Sequence, residues 1–176
     1  MEKFAIEREK VGIIIGKKGA TKKLLEYEIG VKITISRTGN IKINGSAIKS
    51  LVAMNVIKAI CFGFLVDDAL QLINPDFIFE IISVKDFAKS KSRIKEIKAR
   101  IIGRKGKAKK TIESLGNIFI CVSKTKIGII GSVEEVFSAK EAIESLLRGA
   151  KHGRIYKWME NKSRYNKREK RESLEF

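Results

Sequence analysis

Gly103 and Gly106 stand three apart in RIIGRKGKAKK, with Arg104 and Lys105 between them and Lys107, Lys109 and Lys110 just after. Glycine permits a backbone turn with φ above zero and removes the Cβ that would hold a phosphate at a distance. A helix that begins after such a turn offers free N–H groups and the positive end of its dipole to an anion. The two cations in the gap add charge at the same place, so the stretch is suited to cradling phosphate. A second version, Gly16-Lys17-Lys18-Gly19 followed by Lys22, lies in the first half of the chain.

The bare spacing is a weak signal, because with 14 glycines in 176 residues a Gly-x-x-Gly is expected about once by chance. Gly128-Ile129-Ile130-Gly131 matches too, yet it reads as a strand, with isoleucines in the gap and no helix signal behind it. What lifts the other two is that they belong to an internal repeat. Gly16 and Gly19 align with Gly103 and Gly106, and Leu25-Glu26 with Ile112-Glu113. After a one-residue gap, Gly30 falls on Gly116, VKITI on NIFIC, Ile41 and Ile43 on Ile127 and Ile129, and Gly45-Ser46 on Gly131-Ser132.

Each copy predicts the same elements. VKITISR alternates apolar and polar residues as a half-buried strand does, and IKIN follows a Thr-Gly-Asn turn signal, giving a hairpin. Ser46 and Ser132 stand where helix N-caps belong. Behind them, Ile48, Leu51, Val52, Val56, Ala59 and Ile60 form one expected buried stripe, and Val136, Ala139, Ile143, Leu146 and Leu147 the other. Two short helical stretches flank each glycine loop, with a strand before them, KFAI in one copy and FIFEII in the other. The order is β-α-α-β-β-α, an α+β fold class. The predicted division is a first domain over 1–66, a linker over 67–75 holding the only proline, a second domain over 76–150 with a longer first helix, and a basic extension over 151–176.

A net charge of +17 favours a polyanionic partner. It is unevenly spread: +7 over 1–66, −4 over 67–83, +9 over 84–113, zero over 114–150 and +5 over 151–176. More than half of it surrounds the second loop, which is therefore expected to contribute most affinity. Aromatic residues are scattered, as with Tyr27, Phe119 and Trp158, which speaks against a stacking sheet; Ile102 and Ile120 are the expected apolar contacts for bases.

One histidine and two separated cysteines, Cys61 and Cys121, are too few for a metal cage or a nucleophile–base pair, and no cofactor or metal is expected. Glu26 and Glu113 recur, but one carboxylate per helix reads as helix surface, so an enzyme is not expected. The chain opens with charged residues, and its most apolar window, from Leu51, is broken by Asn55 and Lys58; no membrane partner is expected, and the location is read as cytoplasmic. A repeat that packs internally is expected to be a monomer.

The order of elements, with Gly-x-x-Gly between the first two helices, resembles two tandem type I KH domains, whose loop clamps about four nucleotides of single-stranded backbone. Lys22 and Lys109 stand where such domains usually have an apolar residue. GKAKKTIESL, IGIIGSVEEVFSAKEAIESLLRGA and HGRIYKWMENKSR together resemble the twin-KH ribosome-biogenesis family known as Partner of Nob, in its short archaeal form. That resemblance implies a non-enzymatic assembly factor bound to small-subunit (16S-type) rRNA near its 3′ end. It implies as partners the Nob endonuclease and the alpha subunit of translation initiation factor two. It also implies that the chain through Arg164 packs on the second unit, leaving Arg154 and Arg164 to RNA, with the last dozen residues mobile. The competing reading is a KH adaptor in RNA turnover or translation initiation whose first unit mainly docks a protein.

Overall fold

Alternation in KITI and NIKIN puts Ile33, Ile41 and Ile43 on one face of the strands β2 (Lys32–Ile35) and β3 (Asn40–Asn44), and all three are buried. β1 (Glu2–Ala5) pairs antiparallel with the other side of β3, giving the order β1-β3-β2, with Phe4 opposite Ile41 and Ile33 opposite Ile43. Onto this sheet pack α1 (Val11–Ile15), α2 (Ala20–Ile29) and α3 (Ala47–Phe62). The chain then repeats the plan with β4 (Phe77–Ser83), α5 (Lys91–Ile102), α6 (Lys107–Gly116), β5 (Phe119–Val122), β6 (Lys126–Ser132) and α7 (Val133–Leu147), with strand order β4-β6-β5. The computed structural model describes residues 2–172, which cluster into two compact units divided inside β4, after Phe79.

Both long third helices start as the sequence predicts. The Ser46 hydroxyl accepts the Lys49 N–H, and Ser132 forms a reciprocal capping box with Glu135. The stripe expected on α7 is buried throughout. On α3 the stripe is rotated. Ile48 is 78% exposed and Leu51 53%, while Ser50, Ala53 and Ile57 face the core beside Val56, Ala59 and Ile60. The helix is apolar nearly all round, so periodicity alone does not choose its inner face.

Residues 67–75, expected as a linker, fold instead. α4 (Val66–Leu70) and a 3-10 turn over Gln71–Ile73 pack against α3, because Ala69 and Leu72 lie three apart and are both buried. The repeat's one-residue gap also moves. β2 and β5 correspond as Ile33 and Ile120, opposite Ile43 and Ile129, so VKITI and NIFIC align one residue away from the expected match. The missing residue is in the hairpin turn, closed by Ser36 N–H to the Asn40 carbonyl in one unit and by Ser123 N–H to the Lys126 carbonyl in the other. A one-residue slip of a strand reverses its faces, so burial settles the register.

The basic extension is α8 (His152–Glu172), which packs on α6 and α7 through buried Ile155 and Met159. The helix runs through Glu172, so part of the last dozen residues, expected as mobile, has helical backbone; 173–176 lie outside the described residues. Gly116 makes room for it, since a Cβ there would sit 3.1 Å from the Met159 Cε. The first unit has buried Ile29 at the corresponding position and, among the described residues, no eighth-helix counterpart to receive. Met159→Ala is expected to destabilise the second unit by about 2 to 5 kcal/mol, read as a fall in its urea midpoint. An unchanged midpoint would mean that α8 contributes nothing to that core.

Candidate nucleic-acid interface

The two glycine loops are built alike to within a few degrees. Gly16 and Gly103 both sit at φ 71°, Lys18 and Lys105 at φ 53° and 52°, and Gly19 and Gly106 at φ 79° and 75°. In each loop the first glycine's N–H closes the preceding helix, on the Gly12 or Ala99 carbonyl, and the second glycine's N–H returns to the carbonyl of the first. The left-handed lysine is a conformation that costs a side chain roughly 1 kcal/mol, repeated at the same place in both copies.

The glycines in each pair have different duties. A Cβ on Gly16 would lie 2.2 Å from Thr21 Oγ1, and one on Gly103 would lie 2.6 Å from the Ala108 Cβ, so the first glycine is where the loop presses on the following helix. A Cβ on Gly19 or Gly106 would meet nothing within 4 Å. Both glycines of each pair take a positive φ, and the second also leaves an open approach to the backbone.

The helix behind each loop opens differently from the other long helices of its unit. The helices opening at Ser46, Ser90 and Ser132 are capped by those side chains. α2 and α6 open on Gly19 and Gly106 with no side-chain cap and no acid in the first turn. The N–H groups of Ala20 and Lys107 are held by the Lys17 and Arg104 carbonyls of the preceding 3-10 turn, and the other first-turn donors have no side-chain cap. Lys17, Lys18, Arg104 and Lys105 are exposed around that point, and Lys107 and Lys110 stand exposed on the first turn of α6.

Lys22 and Lys109 are half-buried, and their role links to the two recurring glutamates. Lys109 Nζ lies 3.0 Å from Glu113 Oε1 and Lys22 Nζ 3.9 Å from Glu26 Oε1. The same carboxylate oxygens accept the backbone N–H of Ile33 and of Ile120, each at 2.8 Å, on the outer edge of β2 and of β5. Glu26 and Glu113 are therefore not idle helix surface. They tie the helix behind each loop to the sheet edge beside it, and the lysine orients the carboxylate. The sequence signal is present in the repeated Lys-x-x-x-Glu at the same distance from both loops, but its strand partner lies seven residues on and needs the register to be seen.

Of the expected apolar contacts, Ile102 is 37% exposed beside Gly103, whereas Ile120 is 3% exposed and belongs to the core. Ile120's inward place follows from its pairing with Ile129 on the buried face. Arg154 and Arg164 are exposed on α8, apart from the loop in sequence. One clasp has no sequence signal. Just before the second loop, Arg100 Nη2 donates to the Ala150 carbonyl at 2.7 Å, and His152 Nε2 meets the Arg100 carbonyl at 2.9 Å, fixing the start of α8 to the last turn of α5.

Two outcomes test this construction. Glu113→Ala is expected to leave the Ile120 N–H unpaired at a cost of about 1 to 3 kcal/mol, seen as faster amide exchange at Ile120 with the loop charges intact. Gly103→Ala is expected to lower thermal stability more, because it adds a clash with Ala108 to the φ strain, whereas Gly106→Ala strains φ alone, by about 1 kcal/mol. Equal losses would refute the division of labour between the glycines.

Comparison with known proteins agrees with this architecture. The eukaryotic-type KH-domain family (KH-domain type I) matches residues 78–164, and the general KH-domain family matches residues 1–59. The chain is 38% identical over 173 residues to the KH domain-containing protein MJ0443 of Methanocaldococcus jannaschii, covering 96% of this chain and 76% of that protein. It is 38% identical over 106 residues to the RNA-binding protein PNO1 of Oryzias latipes, covering 59% of this chain and 44% of the other. Among solved structures, a chain of the a/eIF2alpha-aDim2p-rRNA complex from Pyrococcus horikoshii superposes with a TM-score of 0.82 at 32% identity, covering 93% of each chain. Matched along nearly its whole length, with a glycine loop in each of two KH units, the chain belongs to the PNO1 family of KH-domain ribosome-biogenesis proteins.

Proposed function

We propose that the protein binds single-stranded small-subunit rRNA near its 3′ end and acts as a non-enzymatic factor in ribosome assembly and pre-rRNA processing. The observation that carries this is the pair of uncapped helix starts, each opening on a glycine loop with two exposed cations in the gap. Phosphate oxygens accept from the first-turn N–H groups that the loop's own 3-10 turn does not hold, and Arg104 and Lys105 neutralise the same phosphates. RNA binding in ribosome biogenesis is also the business of the relatives whose names state one: the PNO1 proteins are pre-rRNA-processing or RNA-binding proteins. The aDim2p structure holds both rRNA and the initiation-factor alpha subunit. The same alpha subunit and the Nob endonuclease are the protein partners in this reading, with the cytoplasm as the place of action.

The second loop is the principal clamp. Lys107, Lys109 and Lys110 surround it, and Arg154 and Arg164 on α8 add further cations to the same unit. GKKG has the same backbone and contributes a second contact, with Lys17 and Lys18 on the phosphates and Lys22 behind them. An adaptor role for the first unit has one observation in its favour: exposed Ile48 and Leu51 on α3, an apolar face a protein partner could cover. Nuclease-resistant co-purification of a protein that no longer occurs with Leu51→Lys supports that role.

The test of the main reading is fluorescence anisotropy of a labelled 3′-end rRNA oligonucleotide at several salt concentrations, with wild type and an Arg104→Asp, Lys105→Asp variant. Both glycines stay, so the loop keeps its backbone. Affinity is expected to collapse, with the salt slope falling by about 0.7 for each phosphate that is no longer neutralised. Unchanged binding would remove the second loop from the function.

A further inference from the structure

We propose that the first unit holds a docking groove for an acidic amphipathic helix of a partner protein, between the end of α2 and the start of α3. This rests on the adaptor reading of the first unit, not on the RNA-binding one, and gives that reading a place and a partner chemistry.

The second unit supplies the template. There α8 runs back along α7 and α6, and its Met159 and Lys162 line one cavity with Ser114, Glu134 and Ser138. The first unit has no helix of that length. In the repeat α4 begins where α8 begins, Val66 against His152, but it and its 3-10 turn end at Ile73 and the chain leaves through Pro75. The positions that α8 reaches last are therefore left open. Tyr27, the counterpart of Ser114, is 83% exposed, and Ile48, the counterpart of Glu134, is 78% exposed. Val52, one turn on from Ile48, is the counterpart of Ser138 and is half-buried. Where a helix lies on this face the matched residues are polar; where the face is bare they are Tyr, Ile and Val. Single exposed apolar residues are ordinary, but three that coincide with a helix-binding face mark an interaction site. Leu51 is a different case, because its counterpart Phe137 is exposed as well, on a side of the helix that α8 does not cover.

Charge selects the occupant. α7 carries four glutamates and one lysine, and the helix lying on it has eight Lys or Arg against three Glu, with Lys162 Nζ 3.9 Å from Glu141 Oε2. α3 reverses the sign, with two lysines and no acid; Lys49 stands at the place of Glu135 and Asn55 at that of Glu141. The Lys49 ammonium lies over Gly30, 2.8 Å from where a Cβ there would be. Alongside, a shallow cavity of about 480 Å³ is walled by Lys23, Tyr27 and Lys32. Its one acid, Glu26, already accepts the Ile33 N–H and faces Lys22. Glu28 is the remaining acid at this end of α2, against three lysines. A basic helix such as α8 of a second copy would meet like charge here. An acidic amphipathic helix would cover Tyr27, Ile48 and Val52 with its apolar stripe and set its carboxylates against the lysines.

The experiment selects binders to the full chain from a displayed library of random peptides of about 16 residues, some four helical turns. The selected peptides are then titrated against wild type and a Tyr27→Ser, Ile48→Gln variant, whose unchanged thermal unfolding confirms that it is folded. This variant keeps every charge, so the general attraction of acidic peptides to a chain of net charge +17 does not mimic the effect. The expected peptides carry apolar residues at i, i+3 or i+4 and i+7 with an excess of Asp and Glu, and bind the variant about tenfold more weakly. A selection without that pattern, or binders that hold the variant as tightly as wild type, overturns the proposal. If Leu51→Lys weakens the binders and the double variant does not, the adaptor reading stands and the groove falls. If a peptide of residues 152–172 binds as tightly as those selected, the occupant is a second copy and the acidic partner is refuted. If the double variant weakens binding of the 3′-end rRNA oligonucleotide, the face belongs to RNA and the protein-docking assignment is refuted.

Discussion

The first backbone N–H groups of an α-helix have no partner inside the helix, and a folded chain must find acceptors for them or leave them to the surroundings. In this protein the long third helices and α5 use serine, while the two helices behind the glycine loops use no side chain. Much of the remaining architecture serves that omission. The first glycine lets the loop press on the helix, the second leaves its face open, and the left-handed lysine between them turns the chain at the same angle in both copies. An acid in the first turn would complete the helix dipole internally and compete with an anion; both turns carry lysine instead.

A site of this kind works only if the loop is held against the neighbouring sheet. Glu26 and Glu113 do this with one oxygen each, accepting an edge-strand N–H that would otherwise face outward and pairing with the lysine one turn back. The edge strand is thereby blunted at one position, which also removes one rung of a template for pairing with another chain. The lysine at a position usually apolar in KH domains is thus accounted for by the carboxylate it faces.

The repeat, the order of elements, the cap serines and the glycine loops are all legible in the sequence, because each depends on residues close together in the chain. The greater length of α5 over α1 is legible for the same reason. The features that are not legible depend on packing between distant segments. Ile48 and Leu51 resemble core residues because α3 is apolar on every side, and Ile120 resembles a base contact until its strand register is fixed. The helical turn at Val66–Leu70 is hidden by a proline and two aspartates nearby. Spacing alone matches Gly116 to Gly30, whereas Asn117 occupies the left-handed helix end and Gly116 is a gap left for Met159.

Gly116 and the Arg100–His152 clasp together give the second unit a dependence on chain order. The GRKG loop is complete as sequence by Gly106, but the groups that brace its leading helix and fill the space beside the following one are Ala150, His152 and Met159. During synthesis from the N-terminus, the loop therefore exists for some fifty residues of further elongation before its supports are made. The first loop has no such wait, since its bracket partner Ile33 follows within one short hairpin. A nascent chain would in this way complete its two glycine loops in sequence, the more basic one only after residues as late as Met159 have been made.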